Sequence, residues 1–129
     1  MLNKIIVIGR LGTDPEMRFS AAGNSMTTFR LAVTTRERRA DGEMADHTEW
    51  FTVIVFGAQA DLCHLWLQKG RLVFVEGRLR SRSFQGKDGV TRHVNEIIAS
   101  RVVFLDRTAG AQEGPPAGEG EAPADELPF

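Results

Sequence analysis

Trp50 and Phe56 stand six residues apart in the run Trp50-Phe51-Thr52-Val53-Ile54-Val55-Phe56, which Gly57 closes. Aromatic and β-branched residues make this run a strand. Side chains alternate along a strand, so Trp50, Thr52, Ile54 and Phe56 share one face while Phe51, Val53 and Val55 share the other. The second set is uniformly apolar and reads as core. The first holds a threonine between two large aromatics, which suits neither a buried face nor a solvated one. A surface on which flat ligands stack accounts for both residue types. Burial, for instance under a second subunit, is an equal reading on composition alone. At about 3.3 Å per residue the two rings would be roughly 20 Å apart, too far for one ligand unit to bridge. Phe84 is a third aromatic, either extending that track or plugging a strand end.

Positive charge accompanies the aromatics. Arg78, Arg80 and Arg82 alternate on one face of a second strand, and Arg36, Arg38, Arg39 and Lys87 fall in loops. As a group they suit a row of phosphates, although any one of them alone reads as an ordinary surface residue. The net charge of −1 hides a segregation: all 16 Lys and Arg lie within residues 4–107 with 12 of the 17 acids, leaving +4 there. The last 22 residues hold the other five acids and no base. A basic body points to a polyanionic partner and an acidic tail to a separate role.

Other chemistries find little support. His47, His64 and His93 have no ligand spacing, and Cys63 is the sole cysteine, so neither a metal site nor a disulfide is expected. Cys63 has no base placed near it by any pattern and reads as a small helix residue. Gly9-Arg10-Leu11-Gly12 lacks the Lys-Ser/Thr of a phosphate loop. No enzyme and no cofactor are expected. No apolar run approaches the roughly 18 residues of a membrane span, and the N-terminal apolar run is too short for a signal peptide. A cytoplasmic protein without a membrane partner is the expectation.

The elements that would position these residues follow in order. Ile5-Ile6-Val7-Ile8 reads as a strand buried on both faces or nearly so. Turns follow at Thr13-Asp14-Pro15 and at residues 21–25, with Met17-Arg18-Phe19 at most a short extended piece between them. Residues 27–35 alternate, with Phe29, Leu31 and Val33 inward. Residues 36–47 read as a polar loop or hairpin tip, and the Trp50 strand follows. Residues 58–69 read as the one helix, with Ala58, Leu62, Leu65 and Trp66 as its apolar stripe and Gly70 as its stop. Residues 72–82 and 91–105 complete the set, with Val73, Val75 and Leu79 opposite the arginines. Five strands with one helix between the third and fourth is the order of the five-stranded oligonucleotide/oligosaccharide-binding (OB) barrel, here all-β with one helix and extended hairpin loops.

Residues 108–124 contain seven Gly or Pro and no aromatic or β-branched aliphatic residue, so they are expected to be a disordered linker. The domain would then span residues 1–107. The linker would carry Asp125-Glu126-Leu127-Pro128-Phe129, an acidic-hydrophobic tip whose aromatic anchor and carboxylate suit a basic-rimmed pocket on another protein.

These residues resemble a known family. Leu2-Asn3-Lys4, four apolar residues, Gly9-Arg10-Leu11-Gly12, Asp14-Pro15-Glu16 and Arg18 are similar to the opening of bacterial single-stranded DNA-binding protein (SSB). Gly42-Glu43-Met44, Thr48-Glu49-Trp50 through Phe56-Gly57, Leu67-x-Lys69-Gly70, Val75 to Arg80 and Asp125 to Phe129 extend the resemblance. It implies an OB barrel without catalysis, usually a homotetramer. Such a protein binds and protects single-stranded DNA, without regard to sequence, in replication, recombination and repair. It implies base stacking on Trp50, Phe56 and Phe84, a tail that recruits replication and repair enzymes, and a cytoplasmic, nucleoid-associated location. The family's further stacking Trp would fall near Thr35-Arg36-Glu37-Arg38, where this chain has no aromatic. Either that site is missing or an arginine plane takes part of its role. The alternative is an OB scaffold of the primosomal type, working mainly through protein contacts; such proteins typically lack the acidic tail.

Overall fold

Period-two alternation carries through most of the chain into six strands, one of them short. The computed structural model describes residues 1–105; the expected linker and the tip Asp125–Phe129 lie outside the described residues. Strands β1 (Ile5–Leu11), β2 (Glu16–Phe19), β3 (Ser25–Arg38) and β4 (Met44–Phe56) precede helix α1 (Ala58–Trp66), and β5 (Leu72–Gln85) and β6 (Thr91–Phe104) follow it. The strands are ordered β1-β5-β6-β4-β3-β2, and a β1–β3 pairing closes the sheet on itself. β4 and β6 run parallel, and the other pairs antiparallel. β1 leaves β3 at Leu11↔Leu31, and β2 resumes on β3 at Glu16↔Thr28. β1 and β2 therefore share one stave. The result is the expected five-strand OB barrel, with the extended piece at residues 17–19 promoted to strand.

The interior is filled by Phe29, Leu31, Val53, Val55, Val73, Val75 and Ile97, all essentially inaccessible to solvent. Phe51 and Val33 pack against this core from partly buried positions. β6 reaches the core from both halves because of a bulge. Glu76 faces Arg101 while the next residue, Gly77, faces Ala99, leaving Ser100 as the extra residue. Its hydroxyl donates to the Glu76 carbonyl at 3.1 Å. The shift lets Ile97 and Ala99 face inward before the bulge, and Val102 and Phe104 after it.

Two expectations are corrected. The polar segment 36–47 is mostly strand: β3 and β4 pair continuously from Met26↔Phe56 to Arg38↔Met44, so only residues 39–43 form the tip. The helix is shorter than 58–69 and turns a different face inward. It ends at Trp66 because Leu67 takes an extended conformation and buries its side chain in the core. Ala60, Cys63 and Leu67 face the barrel, whereas Leu62 and Leu65 are exposed and Trp66 is half-buried. Small residues on the buried face let α1 sit close over the barrel end, and larger ones would hold it away. The Thr27 hydroxyl, fully buried, fixes this seat by donating to the Ala60 carbonyl at 2.7 Å. Burial pushes the Cys63 thiol up to about 12, so it stays protonated and unreactive.

Candidate nucleic-acid interface

Register alone brings the sequence-predicted residues onto one outer face of the barrel. Arg30 pairs with Thr52, Thr52 with Glu96, and Glu96 with Arg80, so these four stand side by side across β3, β4, β6 and β5. Trp50 lies two residues before Thr52 and Phe56 four residues beyond it, on the same face of β4. Arg78, Arg82 and Phe84 share the face of Arg80 on β5. Trp50, Phe56 and Phe84 are 46%, 48% and 42% exposed, high values for aromatics on a barrel wall. Val53 and Val55 point wholly into the core, as their alternation with the aromatics implies, and Phe51 packs against it, so these members of the strand offer no contact surface. Ile54, on the outer face, is nearly buried. The outer surface of β4 is therefore Trp50, Thr52 and Phe56, with the intervening residues as their support.

The predicted cations divide into two kinds. Arg80 donates to Glu96 Oε1 through Nε (3.0 Å) and Nη2 (2.9 Å), and Arg82 Nη2 lies 3.2 Å from Oε2. The Glu96 side chain is only 5% exposed, whereas both arginines are more than half exposed. One carboxylate thus anchors two guanidiniums and leaves their outer N–H groups free for phosphate oxygens. Arg82 also lies over the Phe84 ring, 5.8 Å from its centroid. Arg39 is paired with Asp41 at 2.9 Å in the β3–β4 tip, and that guanidinium, then the Glu43 amide, hold the Asp41 carboxyl below its usual range. Arg36 and Arg38 stand exposed on the β3 arm, Arg78 on β5 and Lys87 in the β5–β6 tip.

Sequence reasoning missed three members of this face. Glu96 went unnoticed because an acid among arginines reads as a solvated surface residue until its burial is known. Arg30 gives no local signal beyond an outward position on its strand; its guanidinium lies over the Trp50 ring, 5.1 Å from the centroid. Gly12 was noted only as part of a loop motif, and it lies against the Trp50 indole. All three meet their partners across 14 or more residues of sequence, which local patterns do not report.

Among the described residues no group of three or more His, Cys, Asp or Glu is placed to hold a metal. The surface is a platform of rings and cations.

Residues 2–105 match the model of the single-strand binding protein family. The chain belongs to that family. It is 37% identical over 119 residues to the single-stranded DNA-binding protein of Neisseria meningitidis, an alignment covering 92% of this chain and 68% of the relative. Single-stranded DNA-binding protein 1 of Chlorobaculum tepidum is 39% identical over 105 residues, covering 81% of this chain and 65% of the relative. Among solved structures, the SSB of Plasmodium falciparum in complex with single-stranded DNA superposes with a TM-score of 0.72 at 34% identity, over 82% of this chain and 97% of that one. The family match spans the described barrel almost end to end, so the platform sits on the family's own framework.

Proposed function

We propose that this chain binds single-stranded DNA without regard to sequence, stacking bases on Trp50, Phe56 and Phe84. Phosphates would be met by Arg36, Arg38, Arg78 and Lys87 and by the outer edges of Arg80 and Arg82, with Arg39 partly neutralised by Asp41. The observation that carries this reading is the gathering of three half-exposed aromatics and an arginine row on one face of a family barrel. Stacking tolerates any sequence because every base has a π-face, and SSB proteins are themselves a known example of it, at about 1–3 kcal/mol per base. Binding of this kind protects single strands during replication, recombination and repair; the protein acts as a binder and not as an enzyme. The tip Asp125–Phe129, tethered by residues 108–124, would recruit partner enzymes to the bound strand.

A homotetramer, located with the nucleoid in the cytoplasm, completes the reading. Its support is β1. Ile5 and Val7 pack on the core, but Ile6 on the opposite face is 55% exposed, although the sequence reads as a strand buried on both sides. A second copy would cover it.

Titration with oligo-dT and with duplex, following Trp fluorescence, tests the binding. Quenching by oligo-dT that weakens steeply with salt is expected, the logarithmic slope being about −0.7 per phosphate neutralised on a single strand. No quenching by oligo-dT, or equal quenching by duplex, overturns the reading. Deleting residues 127–129 should abolish partner capture while leaving oligo-dT affinity nearly unchanged.

A further inference from the structure

Trp50 is held from two directions before any ligand arrives. A Cβ built on Gly12 would overlap the indole at Cζ3 and lie 2.8 Å from Cη2, so the benzo edge of the ring rests where any other residue would put a side chain. On the ring's face sits the Arg30 guanidinium, 5.1 Å from the centroid. The two neighbours are fastened to each other: the Gly12 amide donates to the Arg30 carbonyl at 2.8 Å, and the Arg30 amide donates to the Thr13 hydroxyl at 3.1 Å. β4 in turn is locked to β3 by the pairing Trp50↔Ala32.

From this geometry we infer that Gly12 and Arg30 are positioning residues that fix one pose of the Trp50 indole and leave one of its faces for a nucleobase. Arg30 occupies the other face, where its cation meets the ring's negative quadrupole. Its charge also stands beside the stacked base, within the path of the flanking phosphates. Gly12 is required here for space and not for backbone freedom, because its φ is not positive, unlike that of Gly23, Gly42, Gly57, Gly70 and Gly89. Alanine at position 12 is therefore compatible with the backbone, and its cost falls on the indole. A ring displaced by about 1 Å forfeits roughly a quarter to a half of the attraction on which stacking depends.

The inference deepens the single-strand reading and rests on it, and the test separates the two. In a Trp66→Phe background, which leaves Trp50 as the sole tryptophan, Gly12→Ala is expected to shift the emission maximum of the free protein and to raise its acrylamide quenching. Unchanged emission and quenching overturn the inference without any DNA present. Labelled oligo-dT anisotropy then gives affinities for the full chain, for Gly12→Ala, for Trp50→Phe and for the double variant. The smaller phenylalanine lacks the benzo ring that Gly12 touches. Gly12→Ala should weaken binding about tenfold against the parent, yet less than about twofold in the Trp50→Phe background, the non-additivity expected of touching residues. A loss retained in full in that background would show a general folding defect and overturn the proposal. Arg30→Met should likewise be coupled to Trp50, whereas a cost equal in both backgrounds would make Arg30 a simple phosphate contact and overturn its positioning role. Failure of the parent to bind oligo-dT would instead overturn the function itself.

Discussion

At the scale of single residues the platform depends on one buried acid. Glu96 is almost wholly removed from water and is paired with Arg80 and Arg82, each of which is more than half solvated. The asymmetry decides what substitution does. Removing one arginine leaves the carboxylate a second partner and costs about 1 kcal/mol, the scale of one net hydrogen bond. Removing both strands an uncompensated charge inside the wall, a cost of about 3 kcal/mol. Arg80→Ala and Arg82→Ala are thus expected to be mild alone and more than additive together, as read by urea denaturation midpoints. Additive losses would show that Glu96 is satisfied by something other than this pair. The same anchoring explains why arginines sit here: a guanidinium can offer one edge to a carboxylate and another to a phosphate, which an ammonium cannot do with fixed geometry.

Elements show where sequence patterns suffice and where they stop. Phe29, Leu31 and Val33 on β3, and the split of β4 into Trp50 and Phe56 against Val53 and Val55, were legible because strand periodicity is local and strict. The helix face was not: Leu62 and Leu65 look like its apolar stripe, but the barrel end admits only the small Ala60 and Cys63 beside Leu67. The Ser100 bulge was hidden as well, because the shift exists only relative to β5. The length of the β3–β4 arms escaped because Arg36-Glu37-Arg38 and Asp46-His47 are polar on both faces, as solvated hairpin arms are. That arm carries a titratable contact. His47 Nε2 lies 2.8 Å from Glu49 Oε1, and this bond, then the charge of Glu37, raises the imidazole above its usual 6.5. A raised value in the folded chain means that the contribution of His47⁺ to the arm is fully present below pH 6.5 and fades as pH rises through the higher folded value. An NMR titration of His47 should give a midpoint above 6.5, falling back in Glu49→Gln. A midpoint unchanged by that substitution would assign the shift to another group.

For the whole molecule the decisive fact is a strand whose two faces are treated differently. On β1, Ile5 and Val7 join the core, while Ile6 and Ile8 face outward. Ile8 pairs with Phe74, and Phe74 with Val103, so an apolar strip crosses the outside of β1, β5 and β6. Phe74 and Val103 are already covered within the chain, and Ile6 is the bare end of the strip. A single exposed isoleucine needs no explanation, but one continuous with a buried strip on a barrel wall is the pattern of a surface awaiting a partner. The strip lies on β1, β5 and β6 beside the pairing Ile6↔Glu76, whereas the ring-and-arginine face lies around Thr52↔Glu96, so a second copy seated on the strip would leave the rings open. Ile6→Asp tests this. In an isolated chain the substitution falls on a side chain that is 55% exposed and should change stability by about 0.5 kcal/mol. In an assembly it puts a charge into an apolar interface. Sedimentation should then show the mass falling to that of one chain, with far-UV circular dichroism unaltered and a larger loss of affinity for poly-dT than for short oligo-dT, because a long strand can no longer span several platforms. Retention of the parental mass would place the subunit contact on another face.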